Sequence, residues 1–205
     1  MSTITIIGTG NMAATIGALA VAGGNTVEVM GRDQAKAESL AQALGGGATT
    51  GRWGAAPAGD IVILALLYQG VLPVVTELGD ALAGKALVDI SNTFNATFDG
   101  LATETSIAQE AAKIAPPGTH VIKAFNTIFR GVLEKGRPTV FLAGDDPRSK
   151  AAVATFIESL GLRPLDVGAL PMAHWLEGMG LITMGLAANG VGHWDFALGV
   201  NEFNG

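Results

Sequence analysis

Short apolar runs alternate along the chain with longer stretches of helical periodicity. Thr3-Ile4-Thr5-Ile6-Ile7 is β-branched and unbroken, Gly8-Thr9-Gly10-Asn11-Met12-Ala13 follows it, and residues 14–22 read as a helix stopped by Gly23-Gly24. A second strand over 26–30 precedes Asp33, which stands at the N-cap position of a helix over 34–44. Residues 45–59 are rich in Gly and Ala, with at most a short edge strand near 48–51. Asp60-Ile61-Val62-Ile63-Leu64-Ala65-Leu66 is the strongest apolar run, of the kind covered on both faces in a parallel sheet. A helix over 69–82, a strand over 86–91, a polar loop through Gly100 and a helix over 106–114 closed by Pro116-Pro117 come next. Strand 120–125, a short helical stretch at 128–134, strand 139–143, helix 147–160, strand 163–167 and a last helix over 172–189 complete the pattern. This alternation predicts an α/β fold: a Rossmann-type, doubly wound, mostly parallel sheet with right-handed crossovers. Residues 1–168 carry the sheet. Residues 169–205 form a short helical C-terminal extension, expected to pack on that sheet or on a second subunit.

Composition narrows the function. With 205 residues, 49% of them hydrophobic and 15% charged, the chain is long enough for a full core. It has no Cys, which removes disulfides, thiol nucleophiles, cysteine-ligated zinc and iron–sulfur clusters and fits a reducing, cytoplasmic setting. Twelve Lys+Arg stand against 18 Asp+Glu, and no basic run is present, so nucleic acid is not an expected partner. The opening residues 1–10 hold no basic residue and lack the charged leader of a signal peptide. The apolar run 170–188 contains His174, Glu177 and several glycines, which suits a packed helix and not a membrane span.

The chemistry starts at Gly8-x-Gly10-x-x-Ala13, which fits the dinucleotide fingerprint with Ala in third place. Gly8 makes the tight turn, Gly10 lets backbone approach a pyrophosphate, and Ala13 permits close contact of helix and sheet. Free N–H groups at the helix start then hold phosphate in an otherwise acidic protein. At the end of the second strand, where an NAD site places a carboxylate, the sequence reads Gly31-Arg32-Asp33. Arg32 is placed to pair with a 2′-phosphate, Thr9 to donate a hydroxyl and Lys36 to add a second charge, so NADP(H) is the expected cofactor. The competing reading has Asp33 take the ribose and Arg32 lie solvated, which gives NAD or dual specificity.

Other residues have plainer readings. His120, His174 and His193 show no metal-ligand spacing beyond the His174/Glu177 pair on the last helix, and no metal is expected. Asp145-Asp146-Pro147 reads as a helix cap followed by proline in the first turn. Trp53, Trp175 and Trp194 could stack on a ring system, but read more readily as core or interface anchors. Lys123 is either a catalytic acid or an outward, solvated side chain.

Beyond these local readings, the sequence resembles the NADP-dependent oxidoreductases typified by the coenzyme F-420 (5-deazaflavin):NADP oxidoreductases. The same domain type is similar to the cytoplasmic reductase domain of six-transmembrane metalloreductases. The resemblance rests on Gly8-Thr9-Gly10-Asn11-Met12, Gly31-Arg32-Asp33, Val88-Asp89-Ile90-Ser91-Asn92, Lys123-Ala124-Phe125-Asn126-Thr127-Ile128, Gly144-Asp145-Asp146-Pro147, residues 161–168, and Leu176-Glu177. It implies hydride transfer between NADP(H) and a deazaflavin (F-420) or a flavin such as FAD or FMN, with the protein acting as a clamp and supplying no proton relay. Ile128 would pack on the nicotinamide, and Leu66, Leu67, Tyr68, Asn92, Phe94, Ala124 and Asn126 would join the cofactor site. The sequence departs from the family at Gly31, where Ser or Thr is frequent, and at Leu67, where Pro is usual. Gly178, Gly180 and Gly185 in the last helix permit close approach of another element, and a homodimer seam along this helix is expected. The alternatives are an NADPH-dependent imine or carbonyl reductase of the pyrroline-carboxylate-reductase type and a non-catalytic NADP-sensing module.

Overall fold

A computed structural model describes residues 1–203. The strands are β1 (Thr3–Ile7), β2 (Thr26–Met30), β3 (Thr49–Thr50), β4 (Ile61–Leu64), β5 (Ala86–Asp89), β6 (His120–Lys123), β7 (Thr139–Gly144) and β8 (Arg163–Asp166). The helices are α1 (Asn11–Ala22), α2 (Gln34–Leu44), α3 (Tyr68–Leu78), α4 (Ile107–Ile114), α5 (Pro147–Ser159) and α6 (Met172–Ala188). All eight strands form one sheet in the order β3-β2-β1-β4-β5-β6-β7-β8. The order reverses between β1 and β4, which opens a crevice at their carboxyl ends, the usual ligand position in a doubly wound sheet.

The expected mostly parallel sheet is present, and its one antiparallel pair has a local cause. The stretch 128–134 holds only a 3-10 turn, Arg130–Val132, where the sequence suggested a longer helix. No crossover helix returns the chain to the far end of the sheet, so β7 runs antiparallel to β6. Helix α1 begins at Asn11, three residues before the predicted start, and the 69–82 helix divides into α3 and a 3-10 turn, Gly79–Leu82.

Caps set several helix starts. The Lys36 N–H donates to Asp33 at 3.1 Å, and the Ser149 N–H donates to Asp146 at 2.7 Å, as expected for Asp146-Pro147. Ser106 and Gln109 close a reciprocal capping box on α4.

The C-terminal helix packs within its own chain. Leu176 joins Phe141 and Ala143 of β7 in one apolar cluster, and Ala173, Leu176, Glu177, Gly180, Thr183 and Ala187 form the buried stripe of α6. A Cβ on Gly180 would lie 2.8 Å from Asn92 Oδ1, so this glycine admits the loop after β5. The sequence had suggested a dimer seam as the reason for such glycines. At Gly180 the reason is intramolecular.

Candidate functional site

Two concavities meet at the switch point, sharing Ala65, Leu66 and Leu67 as a common wall. Between them lies the β1–α1 turn. Gly8 has φ +128, and a Cβ there would sit 2.3 Å from the Ala65 carbonyl oxygen, so a side chain is excluded twice over. A Cβ on Gly10 would meet nothing within 4 Å: the space above this residue is open. No side chain caps α1 at Gly10, which leaves the first-turn N–H groups and the positive end of the helix dipole facing that opening. Ala13, fully buried, seats the helix against the sheet. A pyrophosphate suits this donor set, and the open cradle at Gly10 is the observation that fits the group to the site.

The first concavity, about 350 Å³, gathers Gly8, Thr9, Gly31, Arg32, Asp33 and Lys36 at the end of β2, with Trp53 beside Arg32. Thr9, Arg32 and Lys36, the residues expected around a 2′-phosphate, thus line one concavity together. Asp33 is committed to capping α2, and the Lys36 backbone N–H is the main cause holding its carboxyl below the ordinary aspartate value, against a smaller opposing effect of desolvation. A Cβ on Gly31 would come 3.1 Å from Thr9 Cγ2, so the Thr9 side chain already fills the room that a Ser or Thr would use. Trp53, read from sequence as a core or interface anchor, is a wall of this concavity.

The second concavity, about 570 Å³, is lined by Asn11, Met12, Leu66, Leu67, Tyr68 and Asn92, together with Gln69, Ile90, Ser91, Phe94 and Phe98. Among these residues Tyr68 is the one titratable side chain. Leu67 is 81% and Phe98 56% exposed, so apolar surface lies open at the rim. Phe94 and Phe98 meet edge to face with centroids 5.9 Å apart, and Phe98 has φ +57. Nothing in the polar loop 92–105 announced Phe98, because its role depends on a left-handed backbone that the sequence does not encode locally.

Three expected residues stand behind the lining. Ile128 is 7% exposed and belongs to the main core cluster, together with Ala124. Neither lines the cavity. Asn126 is also behind it, where its Nδ2 donates to Asn92 Oδ1 at 2.9 Å and to the Leu176 carbonyl at 2.8 Å. Asn92 Nδ2 donates in return to the Asn126 carbonyl at 2.8 Å.

Beneath this floor is a buried ion cluster. Lys123 Nζ donates to Asp89 at 2.7 Å, to Glu177 at 2.7 Å and to the Ser91 carbonyl at 2.6 Å, which uses its three protons. Asp89 also accepts from the Ser91 N–H and hydroxyl, and Glu177 from the Thr93 hydroxyl and the Ile107 N–H. The three charged side chains have no exposed surface. Lys123 is therefore neither solvated nor in reach of the cavity, because burial is tolerable only with every donor paired. Glu177 is likewise engaged here and not with His174. Among the described residues, no group of three or more His, Asp or Glu side chains is placed to hold a metal ion, and no helix is long and apolar enough to cross a membrane.

Residues 3–93 match the family model described as "NADP oxidoreductase coenzyme F420-dependent", which bears out the resemblance read from the sequence motifs. The chain is 30% identical over 172 residues to the rat (Rattus norvegicus) metalloreductase STEAP3, covering 82% of this chain and 34% of that one. It thus spans about a third of the length of this curated relative. A protein of Arthrobacter sp. FB24, provisionally named an F-420-dependent NADP reductase, has a crystal structure similar at TM-score 0.77, with 24% identity over 92% of this chain and 95% of that one. An imine reductase from Myxococcus stipitatus, solved in complex with NADP+, is similar at TM-score 0.68, with 20% identity over 92% of this chain and 63% of that one.

Proposed function

We propose, from the family match over residues 3–93, that this protein is an NADP-dependent oxidoreductase that moves a hydride between NADP(H) and a deazaflavin or flavin acceptor. The observation that carries the choice of acceptor is the wall of the 570 Å³ cavity: mainly apolar and aromatic, with Tyr68 as its single titratable group. Reduction of an imine or carbonyl needs a group placed to deliver a proton to nitrogen or oxygen, a task for which Tyr68 is the one titratable candidate in the wall, whereas a flat ring needs mainly stacking surface and exclusion of water. Leu66, Leu67, Phe94 and Phe98 supply that surface.

The chain's residues divide the work along the crevice. Gly8, Gly10 and the N–H groups of Asn11 and Met12 bind the pyrophosphate; Thr9, Gly31, Arg32 and Lys36 take the 2′-phosphoadenosine end. The nicotinamide, when bound, supplies or accepts the hydride. Asn92, fixed by its paired amide contacts with Asn126, orients the floor on which the reacting rings align, and Ile128 backs that floor from the core. The missing cysteines fit a reducing, cytoplasmic setting.

Anaerobic mixing with NADPH and, separately, oxidised F-420, FAD and FMN tests the reading. The expected result is loss of visible absorbance for one of these acceptors. If none bleaches while a cyclic imine is reduced, the imine-reductase alternative replaces this one, and binding of NADPH without any turnover replaces it with the sensor.

The homodimer is also a proposal, supported by the outward stripe of α6. Trp175 is 67% and Ile182 61% exposed, while Gly178 and Gly185 between and beside them face open space, which gives a self-complementary ridge and notch. Trp175→Glu is expected to convert a dimer into a monomer in light scattering. A wild-type chain that is already monomeric at about 100 µM would refute the seam.

A further inference from the structure

The concavity below Arg32 is approached by a carboxylate that neither the glycine motif nor the end of β2 announces. Glu77, in the last turn of α3, accepts from Arg32 Nη2 at 3.2 Å and from the Trp53 indole N–H at 2.5 Å. The Arg32 guanidinium lies over the Trp53 ring, 5.5 Å from its centroid. Four charged side chains therefore meet at this end of the crevice: Arg32, Lys36, Asp33 and Glu77, whose formal charges sum to zero. Asp33 is spoken for by its cap and by a 3.4 Å pair with Lys36, which leaves Glu77 as the carboxylate on the guanidinium.

We propose that Glu77 is a specificity-determining residue: its carboxylate competes with the cofactor's 2′-phosphate for Arg32 and so holds down the preference for NADP(H) over NAD(H). This rests on the reading of the concavity as the 2′-phosphoadenosine site. A dianionic phosphate entering there shares the guanidinium with Glu77 and feels its repulsion, whereas a 2′-hydroxyl meets neither penalty. Because Arg32 and Glu77 are 61% and 42% exposed, their pair is weak, and phosphate can still take the guanidinium from it. Glu77 attenuates the preference and does not abolish it.

Glu77→Gln isolates the charge, since glutamine keeps the length of the side chain and an oxygen acceptor for the Trp53 N–H. The test is calorimetric titration of the full chain with adenosine 2′,5′-bisphosphate and with adenosine 5′-monophosphate, which needs no turnover. Glu77→Gln is expected to tighten the bisphosphate roughly fivefold and leave the monophosphate within about twofold. An unchanged or weakened bisphosphate affinity in Glu77→Gln overturns the proposal, the weakened case showing that Glu77 braces Arg32 for phosphate instead. Arg32→Ala is titrated alongside. If the wild type does not favour the bisphosphate, or Arg32→Ala keeps that preference, the phosphate site itself is lost along with the proposal. A null result confined to Glu77→Gln overturns only the role of Glu77.

Discussion

Lys123→Met is expected to destabilise the protein by about 3–5 kcal/mol, the cost of leaving buried carboxylates without their cation. Asp89 and Glu177 are both fully buried, and the lysine's three donors are all engaged, so no neighbouring group can replace it. Solvent cannot reach the charges that remain. For a chain of this size a loss of that order lowers the melting temperature by roughly 6–20 °C, readable by calorimetry or circular dichroism. Adding Glu177→Gln to Lys123→Met is expected to recover about 0.5–3 kcal/mol, because one of the two stranded charges is then neutral. A Lys123→Met variant that melts within 2 °C of the wild type would show that this cluster is not a net support of the fold.

Arg32→Ala carries the second large effect, on binding and not on folding. Loss of a charge-assisted contact to the 2′-phosphate is expected to weaken NADP(H) by about 1.5–3 kcal/mol, between tenfold and somewhat over a hundredfold, with NAD(H) almost untouched. The guanidinium is 61% exposed and its partner Glu77 lies at the surface, so the variant should fold as the wild type does. Fluorescence or calorimetric titration with both nucleotides checks it. Equal losses for the two would place Arg32 outside the phosphate site.

What could be read from the sequence follows the range of the interactions involved. The β1–α1 turn was legible because its main requirements are local: Gly8 at φ +128, an open Gly10 and a buried Ala13 fall within six consecutive residues, and only the close approach of the Ala65 carbonyl to Gly8 comes from elsewhere in the chain. The caps at Asp33 and Asp146 were legible for the same reason. Lys123 was not, since nothing on β6 reveals that partners 34 residues before it and 54 after it will close over its ammonium group. Ile128 shows that a motif gives a position along the chain without its depth. It follows β6 as the resemblance implies, but it is core, and Asn92, Phe94 and Phe98 form the surface above. Trp53 and Glu77 were invisible as a pair because the short β3 edge and the end of α3 meet at Arg32 only in the folded sheet.

The position of Glu177 bears on the order in which the molecule assembles. A ribosome releases β5 and β6 well before α6, so for a time Lys123 and Asp89 are present without their third member. Until residue 177 emerges, the Thr93 hydroxyl and the Ile107 N–H lack the acceptor that fixes them. All eight strands are complete by residue 166, yet the buried cluster behind the crevice is not. The cluster is thus the last part of the molecule for which all the residues become available, and its closure couples the docking of α6 to the loops after β5 and β6.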